Sequence, residues 1–562
     1  MPRMSGAEFM ADTMKAYGVT HIFFVPTILS HSLAQMDKKN TGISRVLTHG
    51  EKSAAYMADA YARISGRPGI CMAQIVGGVN LAAGLREAYL ASSPVIAFTG
   101  GTTPSIRYRN PYQEVEDISA FDPVTKFNAY VDDVERFPDL LRQAFRVATS
   151  GTPGPVHLRF AGNLGQIEQK KANLKLVVEE DFKCTPAYRP EPSIDSLKKV
   201  AKILSSSKKP VIVCGGGVRT SLAHKELVEL AEKLSIPVAT SMNAKEVIPG
   251  NHELSVGVVG SYSRRSANQI VSEADLVFFI GTKTGGMTTH FWKVPKIGVS
   301  AIQLDIDPEE LGRNYPLLAS INGDAKISLS KLIEFCDDSQ NSKRVNWKKR
   351  FQKIVSNWRK EFAPLLNSKK NPIRPERVCQ ILSDILPNDS ILLSDTGHSG
   401  MWTGGYLDLN GGENSFIRAA GHLGWGFPAA IGAKCAAPNR PVVLFTGDAG
   451  FWYHIGEIET AVRWKIPLVI LVNNNSSQNQ ETKIFDDAYG GKQHGKAHEL
   501  WHFEKTNFVQ VAKSMGAKGI RIEKEKDLKS KLQTALKTKT GPIIVDVVTD
   551  IKALAPGAYS EF

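Results

Sequence analysis

The stretch that most constrains this chain runs from Pro441 to Gln480, PVVLFTGDAGFWYHIGEIETAVRWKIPLVILVNNNSSQNQ. Val442 to Phe445 is a short, β-branched apolar run, the pattern of a strand buried on both faces. Gly447-Asp448-Ala449-Gly450 interrupts it with small residues, and Glu457 to Trp464 carries helical spacing. A second apolar run, Leu468 to Val472, leads into Asn473, Asn474 and Asn475. The reading is strand, loop, helix, strand, with oxygen-bearing side chains at the C-terminal ends of both strands. Open α/β sheets bind their ligands there.

The residue types narrow the ligand. Asp448 and Asn475, 27 residues apart, offer a carboxylate and an amide oxygen. That pair suits a hard divalent cation such as Mg²⁺, which takes about six oxygens and leaves places for phosphate and water. Gly447, Ala449 and Gly450 are small enough to let backbone N–H groups approach a diphosphate. The N-terminus of the following helix favours the same charge.

Strand and helix signals alternate along the rest of the chain, which predicts parallel α/β layers. His21–Val25, Gly69–Ile75, Pro94–Thr99 and Pro155–Phe160 read as strands of a first module. Between them Glu51–Arg63 is an alanine-rich helix, with Ala54, Ala55, Ala58 and Ala62 on one small-residue face. CTPAYRPEPS, Cys184 to Ser193, reads as a linker. Pro210–Cys214, Ile236–Thr240, Leu276–Gly281 and Ala301–Ile306 predict a second sheet, whose first strand enters Gly215-Gly216-Gly217. That glycine run lacks dinucleotide-binding spacing, so an α/β spacer is the default and nucleotide binding stays open. Asn346–Lys370 is basic and helical, and Asn371 to Val378 reads as a hinge. The expectation is an α/β protein of three domains, residues 1–185, 190–345 and 370–562, each a parallel sheet flanked by helices. The first and third share a layout.

Charge and composition exclude other classes. The net charge is +13, gathered in Lys170–Lys175, Lys343–Lys353 and Lys524–Lys539 without interleaved aromatics. This predicts a solvated basic surface that can draw in anionic substrates, not a nucleic-acid surface. No apolar run reaches the roughly 18 residues of a membrane helix. The N-terminus reads as an amphipathic helix with Glu8 and Asp12, not as a secretory signal. Six cysteines without paired spacing predict free thiols in a reducing, cytoplasmic setting.

The Asp448…Asn475 pattern resembles the GDG…NN motif of thiamine-diphosphate enzymes, and other segments agree. HGEKSAAYMADAYAR (His49–Arg63), followed by GRPGICMAQ (Gly66–Gln74), resembles the pyrimidine-binding domain of the acetolactate synthase and pyruvate decarboxylase-like members. The resemblance implies that Glu51 binds N1′ of the aminopyrimidine and drives its imino tautomer, which takes the proton from thiazolium C2. YQEVEDISAFDPVTK (Tyr112–Lys126) resembles the family's FQE segment, which makes Gln113 a catalytic candidate. SGTPGPVHL (Ser150–Leu158) and IDPEELGRNYP (Ile306–Pro316) resemble the end of the first family domain and part of the central one. DTGHSGMW (Asp395–Trp402) resembles a diphosphate-contacting segment and assigns His398 and Ser399 to it. AAGHLGWGFPAAIGA (Ala419–Ala433) resembles the loop that grips the pyrimidine. There the Gly421 carbonyl would accept from the 4′-amino group, and Leu423 would wedge the cofactor into its bent form. Gly447, Ala449 and Gly450 fall on the diphosphate, and the metal falls to Asp448, Asn475 and the Ser477 carbonyl. Glu481 stands where decarboxylase members carry a catalytic glutamate, and a carboxyl partly closed from water there would have its pKa raised.

The resemblance spans residues from about 3 to 550. It implies thiamine diphosphate, Mg²⁺ and a homodimer or homotetramer, with each site between the pyrimidine domain of one copy and the diphosphate domain of another. Departures bear on the substrate. Val25-Pro26-Thr27-Ile28 replaces a GxPG turn, so Thr27 and Ile28 are expected to narrow the space above C2. Gln74-Ile75-Val76-Gly77 replaces SGPG, and Gly50 stands where a histidine usually precedes the glutamate, with His49 displaced by one. The paired histidines of the pyruvate decarboxylases are missing from Gly100–Arg109, and GSYSRRSAN (Gly260–Asn268) does not keep the FAD pattern, which leaves FAD doubtful. The implied activity is addition of the C2 carbanion to a 2-oxo acid, loss of CO₂, and transfer of the enamine to a second carbonyl. Alternatives are simple 2-oxo acid decarboxylation with Glu481 as proton donor, a cofactor-binding protein with lost catalysis, and a nicotinamide oxidoreductase built on the glycine run.

Overall fold

Three six-stranded sheets, each with every strand parallel to its neighbours, organise the molecule. The structure is a computed structural model that describes residues 3–339 and 341–557. The first sheet runs Ser44–Leu47, His21–Phe24, Gly69–Ala73, Val95–Gly101, Val156–Ala161, Phe127–Val131. The third runs Ser415–Arg418, Ile391–Ser394, Val442–Gly447, Val469–Asn474, Ile543–Val548, Lys518–Ile522. Counted along each segment of chain, both follow the order 2-1-3-4-6-5. One layout is used twice, as the sequence suggested.

The middle sheet differs. Its order is Ser255–Val258, Val238–Thr240, Pro210–Cys214, Leu276–Ile280, Ala301–Asp305, Ala319–Asn322, or 3-2-1-4-5-6. That is the order of dinucleotide-binding folds. A cavity of about 380 Å³ lies at the C-terminal ends of its central strands, bordered by Gly216, Gly217, Thr282 and Asp305. Arg418 and Ala420 of the third domain reach it as well. The glycine run therefore borders a cavity, where a plain spacer was the default.

Central strands are the ones the sequence shows most openly. Gly69–Ala73, Pro210–Cys214 and Leu276–Ile280 are buried throughout, because helices cover both faces of a parallel sheet. Edge strands such as Ser44–Leu47 and Lys518–Ile522 are half-exposed and carry no apolar run. Lys171–Asn173, within the first basic cluster, is a short strand paired antiparallel with Arg3–Ser5. All six cysteines are free, and Cys71, Cys214, Cys336 and Cys379 are buried. Among the described residues no helix is long and apolar enough to cross a membrane.

The alanine face of the Glu51–Ser65 helix has a structural purpose. A Cβ on Gly84 would lie 2.6 Å from the Ala55 Cβ, and on the contact with the Gly426–Ala436 helix of the third domain a Cβ on Gly432 would lie 2.0 Å from the Met57 carbonyl oxygen. Only small residues allow two helix backbones to approach this far. One buried cluster consequently runs from Phe23 and Ala54 through Ala430 to Val472, joining first and third domains.

Ile28 is the clear correction. Thr27 and Leu29 both adopt left-handed backbone, with φ of 72° and 46°. The two reversals turn Ile28 and Leu29 inward, and both are fully buried in the first-domain core. Ile28 therefore narrows no space above a ligand; Thr27 alone of the pair is exposed. Ile28→Ala is expected to cost about 2–5 kcal/mol of stability through the cavity it leaves, read as a lower Tm by calorimetry. The product distribution should not move.

Candidate active site

In the third sheet the chain leaves Ile391–Ser394 towards Ser415–Arg418 on one side and enters Val442–Gly447 and Val469–Asn474 on the other. This reversal opens a crevice at the C-terminal strand ends. Asp395, Asp448 and Asn475 are the residues that follow three of those strands directly. Nine residues singled out from the sequence line one cavity there: His398, Ser399, Leu423, Gly447, Asp448, Ala449, Gly450, Asn475 and Ser477.

Asp448 is the hub. Its Oδ1 accepts from the Ala449 N–H at 2.7 Å, and its Oδ2 from the N–H groups of Asn475, at 3.0 Å, and Ser476. Burial pushes this carboxyl up to about 6, while those N–H groups favour its charged form. Ser476 takes a left-handed turn, φ 56°, which folds the loop back. The Asn475 Oδ1 thereby accepts from both the N–H and the hydroxyl of Ser477, at 3.1 and 2.9 Å. The three residues expected to hold a cation are thus tied into one hydrogen-bonded unit, all with oxygen donors.

Neighbouring groups are held with equal care. The His398 Nε2 accepts from the Ala555 N–H at 3.4 Å, so the ring proton sits on Nδ1 and is donated to Asn479 Oδ1 at 2.8 Å. Burial lowers its pKa to about 4, so the ring is neutral at pH 7.

Two carboxylates in this region escaped the sequence reading. Asp395, almost fully buried, accepts from the N–H groups of Thr396 and Gly424 and from the Thr446 hydroxyl, fastening the 423–426 loop to the sheet. Glu87, from the Gly78–Leu90 helix of the first domain, accepts from three successive N–H groups, Ala420, Gly421 and His422, the last two at 2.9 and 2.6 Å. Burial raises its pKa, and these backbone bonds oppose the shift. The loop that carries Leu423 into the cavity is clamped between these two acids. A carboxylate directly after a strand was a readable signal for Asp395; nothing local marked Glu87.

The remaining candidates gather elsewhere. Glu51 opens its helix behind an extended Gly50 and accepts from the Asn80 amide at 3.3 Å. Gly77 lies over its carboxylate, where a Cβ would come within 2.4 Å of Oε1. Gln113 Oε1 accepts from Gln74 at 2.5 Å in the same region of the first sheet's C-terminal edge. None of these residues lines the Asp448 cavity, all of whose lining comes from residues 395–480. His49 pairs with Glu459 at 2.8 Å and is part of the domain contact. Gly421 and Glu481 flank the cavity without lining it. Glu481 is partly buried.

Sequence comparisons give this geometry a family. Residues 4–121 match the N-terminal TPP binding domain of thiamine pyrophosphate enzymes, residues 197–332 the central domain, and residues 395–547 the C-terminal TPP binding domain. The chain belongs to the thiamine pyrophosphate enzymes. It is 33% identical to a probable acetolactate synthase large subunit of Methanocaldococcus jannaschii, over 97% of this chain and 92% of that protein. It is 31% identical to the acetolactate synthase large subunit of Cyanidium caldarium, over 97% and 93%. A probable acetolactate synthase large subunit of Methanococcus aeolicus is 30% identical, over 99% and 94%. This thiamine pyrophosphate enzyme is therefore acetolactate synthase-like over nearly its whole length. The acid, amide and carbonyl oxygens around Asp448 fit a hard divalent cation.

Proposed function

We propose that this chain is a thiamine-diphosphate- and Mg²⁺-dependent carboligase acting on a 2-oxo acid. The Asp448–Asn475–Ser477 unit carries the proposal, because it combines the oxygen set of a Mg²⁺ site with a crevice at a strand-order reversal. Asp448, Asn475 and the Ser477 carbonyl would hold the cation. The backbone at Gly447, Ala449 and Gly450, with Ser399 and His398 beside it, would meet the diphosphate. Leu423, held by the clamped 420–426 loop, would support the bent cofactor, and the Gly421 carbonyl would orient its aminopyrimidine. When bound, thiamine diphosphate supplies a carbanion that adds to a carbonyl and stabilises the charge left by CO₂.

A second copy of this chain completes the site in this proposal. Glu51, Gln74 and Gln113 lie outside the Asp448 cavity of their own chain. Large apolar side chains are exposed beside both halves, Val76 and Tyr112 in the first domain, Tyr453 and Ile484 in the third. Glu51 of one copy would hold and return the proton of the aminopyrimidine bound by the other, with Gln113 at the reacting face.

Incubation of the purified protein with pyruvate, thiamine diphosphate and Mg²⁺ tests the reading. Acetolactate is the expected product. Acetaldehyde as sole product would replace ligation by decarboxylation, and failure to release CO₂ from any small 2-oxo acid would remove the substrate class. The decarboxylase reading keeps one support, Glu481 next to the cavity-lining Gln480. If Glu481 delivers a proton to the product, Glu481→Gln should shift the products towards ligation while leaving C2 proton exchange unchanged. Equal losses in both would show that it has no such role.

A further inference from the structure

Asn473 is the last but one residue of the Val469–Asn474 strand and pairs in register with Gly447. Side chains alternate along a strand, so Asn473 faces opposite to Asn474. The Asn474 amide is spent on Asp546, at 2.8 Å, and on the Thr506 carbonyl, at 3.0 Å. Asn475 is tied to Ser477, and Asn479 to His398, Ile551 and Ala553. Asn473 differs from all three. Its side chain lines the Asp448 cavity, it is 5% exposed, and its Oδ1 is buried with no hydrogen-bond partner among the described residues.

A buried acceptor without a donor destabilises a fold, and an apolar residue suits an internal strand position better. Groups left this way in a native protein point to a missing water, ion or ligand. The cavity chemistry decides which. The amide oxygen, unlike the N–H₂ of the same side chain, has nothing to offer a diphosphate, whose oxygens are themselves acceptors, but it serves a cation or the water bound to one. Mg²⁺ keeps several waters when protein ligands are few.

We propose that Asn473 is a further cation contact: its amide oxygen binds the divalent ion of this site, directly or through a water on that ion. The inference rests on the proposed Asp448 site and adds a residue that the metal assignment did not contain. An outer contact of this kind is worth about 10–100-fold in metal affinity.

The test uses the full-length chain with saturating thiamine diphosphate and Mn²⁺ as the probe, free Mn²⁺ being counted by electron paramagnetic resonance. Asn473→Leu should bind Mn²⁺ about 10–100-fold more weakly. Its cofactor-free form should melt at the parent's temperature or above, since an unpaired acceptor has been removed. Asn473→Ala, which cannot overpack the site, should show the same loss of affinity and replaces the leucine variant if that one does not fold. Mn²⁺ binding within twofold of the parent in the folded variants would overturn the proposal and leave a buried water as Asn473's only partner. Weaker binding together with a lower cofactor-free melting temperature in both variants would also overturn it, as a purely structural amide. Asp448→Ala separates the two levels. If it too binds Mn²⁺ like the parent, the whole cation site fails; if it alone loses binding, only the role of Asn473 fails.

Discussion

Glu51→Gln is expected to retain thiamine diphosphate with near-parental affinity and to lose C2 proton exchange by roughly 10²–10⁴-fold, the usual contribution of a positioned acid–base group. The two halves of this expectation come from different domains. Affinity for the diphosphate is proposed to reside around Asp448, and no first-domain residue enters that cavity. Proton handling is proposed for the carboxyl of Glu51, which glutamine replaces without change of shape. The fit matters, because Gly77 lies over that carboxylate and leaves no space for a bulkier group. The Asn80 amide that donates to Glu51 can donate equally to a glutamine oxygen. Exchange at C2 of the bound cofactor, followed by NMR after acid quench, is the measurement. An unchanged rate would take Glu51 out of the mechanism.

Asp448→Ala should abolish the stabilisation that thiamine diphosphate and Mg²⁺ give together. A parent holding both at about 100 times Kd gains about 2.7 kcal/mol, and the variant should gain none at the same concentrations. The effect is large because one carboxylate does two things. In the proposed site it offers oxygen to the cation, and it accepts from the N–H groups of Ala449, Asn475 and Ser476 that hold the loop in shape. Alanine removes both, leaving buried donors unpaired at a cost of about 1–3 kcal/mol even without cofactor. A thermal shift as large as the parent's would show that Asp448 is no ligand.

Legibility in the sequence followed burial. Val442–Gly447 and Val469–Asn474 lie inside a sheet covered on both faces, so their apolar runs stood out, and small residues and asparagines after them marked the crevice. Edge strands such as Ser44–Leu47 and Ser255–Val258 face water in part and carried no such signal. Ile28 shows the limit of arguing from position along the chain. Its place beside an expected ligand loop said nothing of its direction, which the left-handed residues on either side reversed.

What the sequence by itself determined is the architecture and one cluster of candidate ligands. Alternating buried strands and helices compelled layered parallel sheets, and Asp448, Asn475 and Ser477 are close enough along one strand–helix–strand unit for local geometry to join them. What only the tertiary structure decided is everything that depends on contacts between distant segments. Glu87 reaches across from the first domain to hold Ala420–His422, Asp395 binds Gly424, and the Asn473 Oδ1 has no partner among the described residues. Separation along the chain is the physical reason. A hydrogen bond between residues more than 300 positions apart leaves no trace in spacing or periodicity, and an unmet one is visible only once every neighbour is in place.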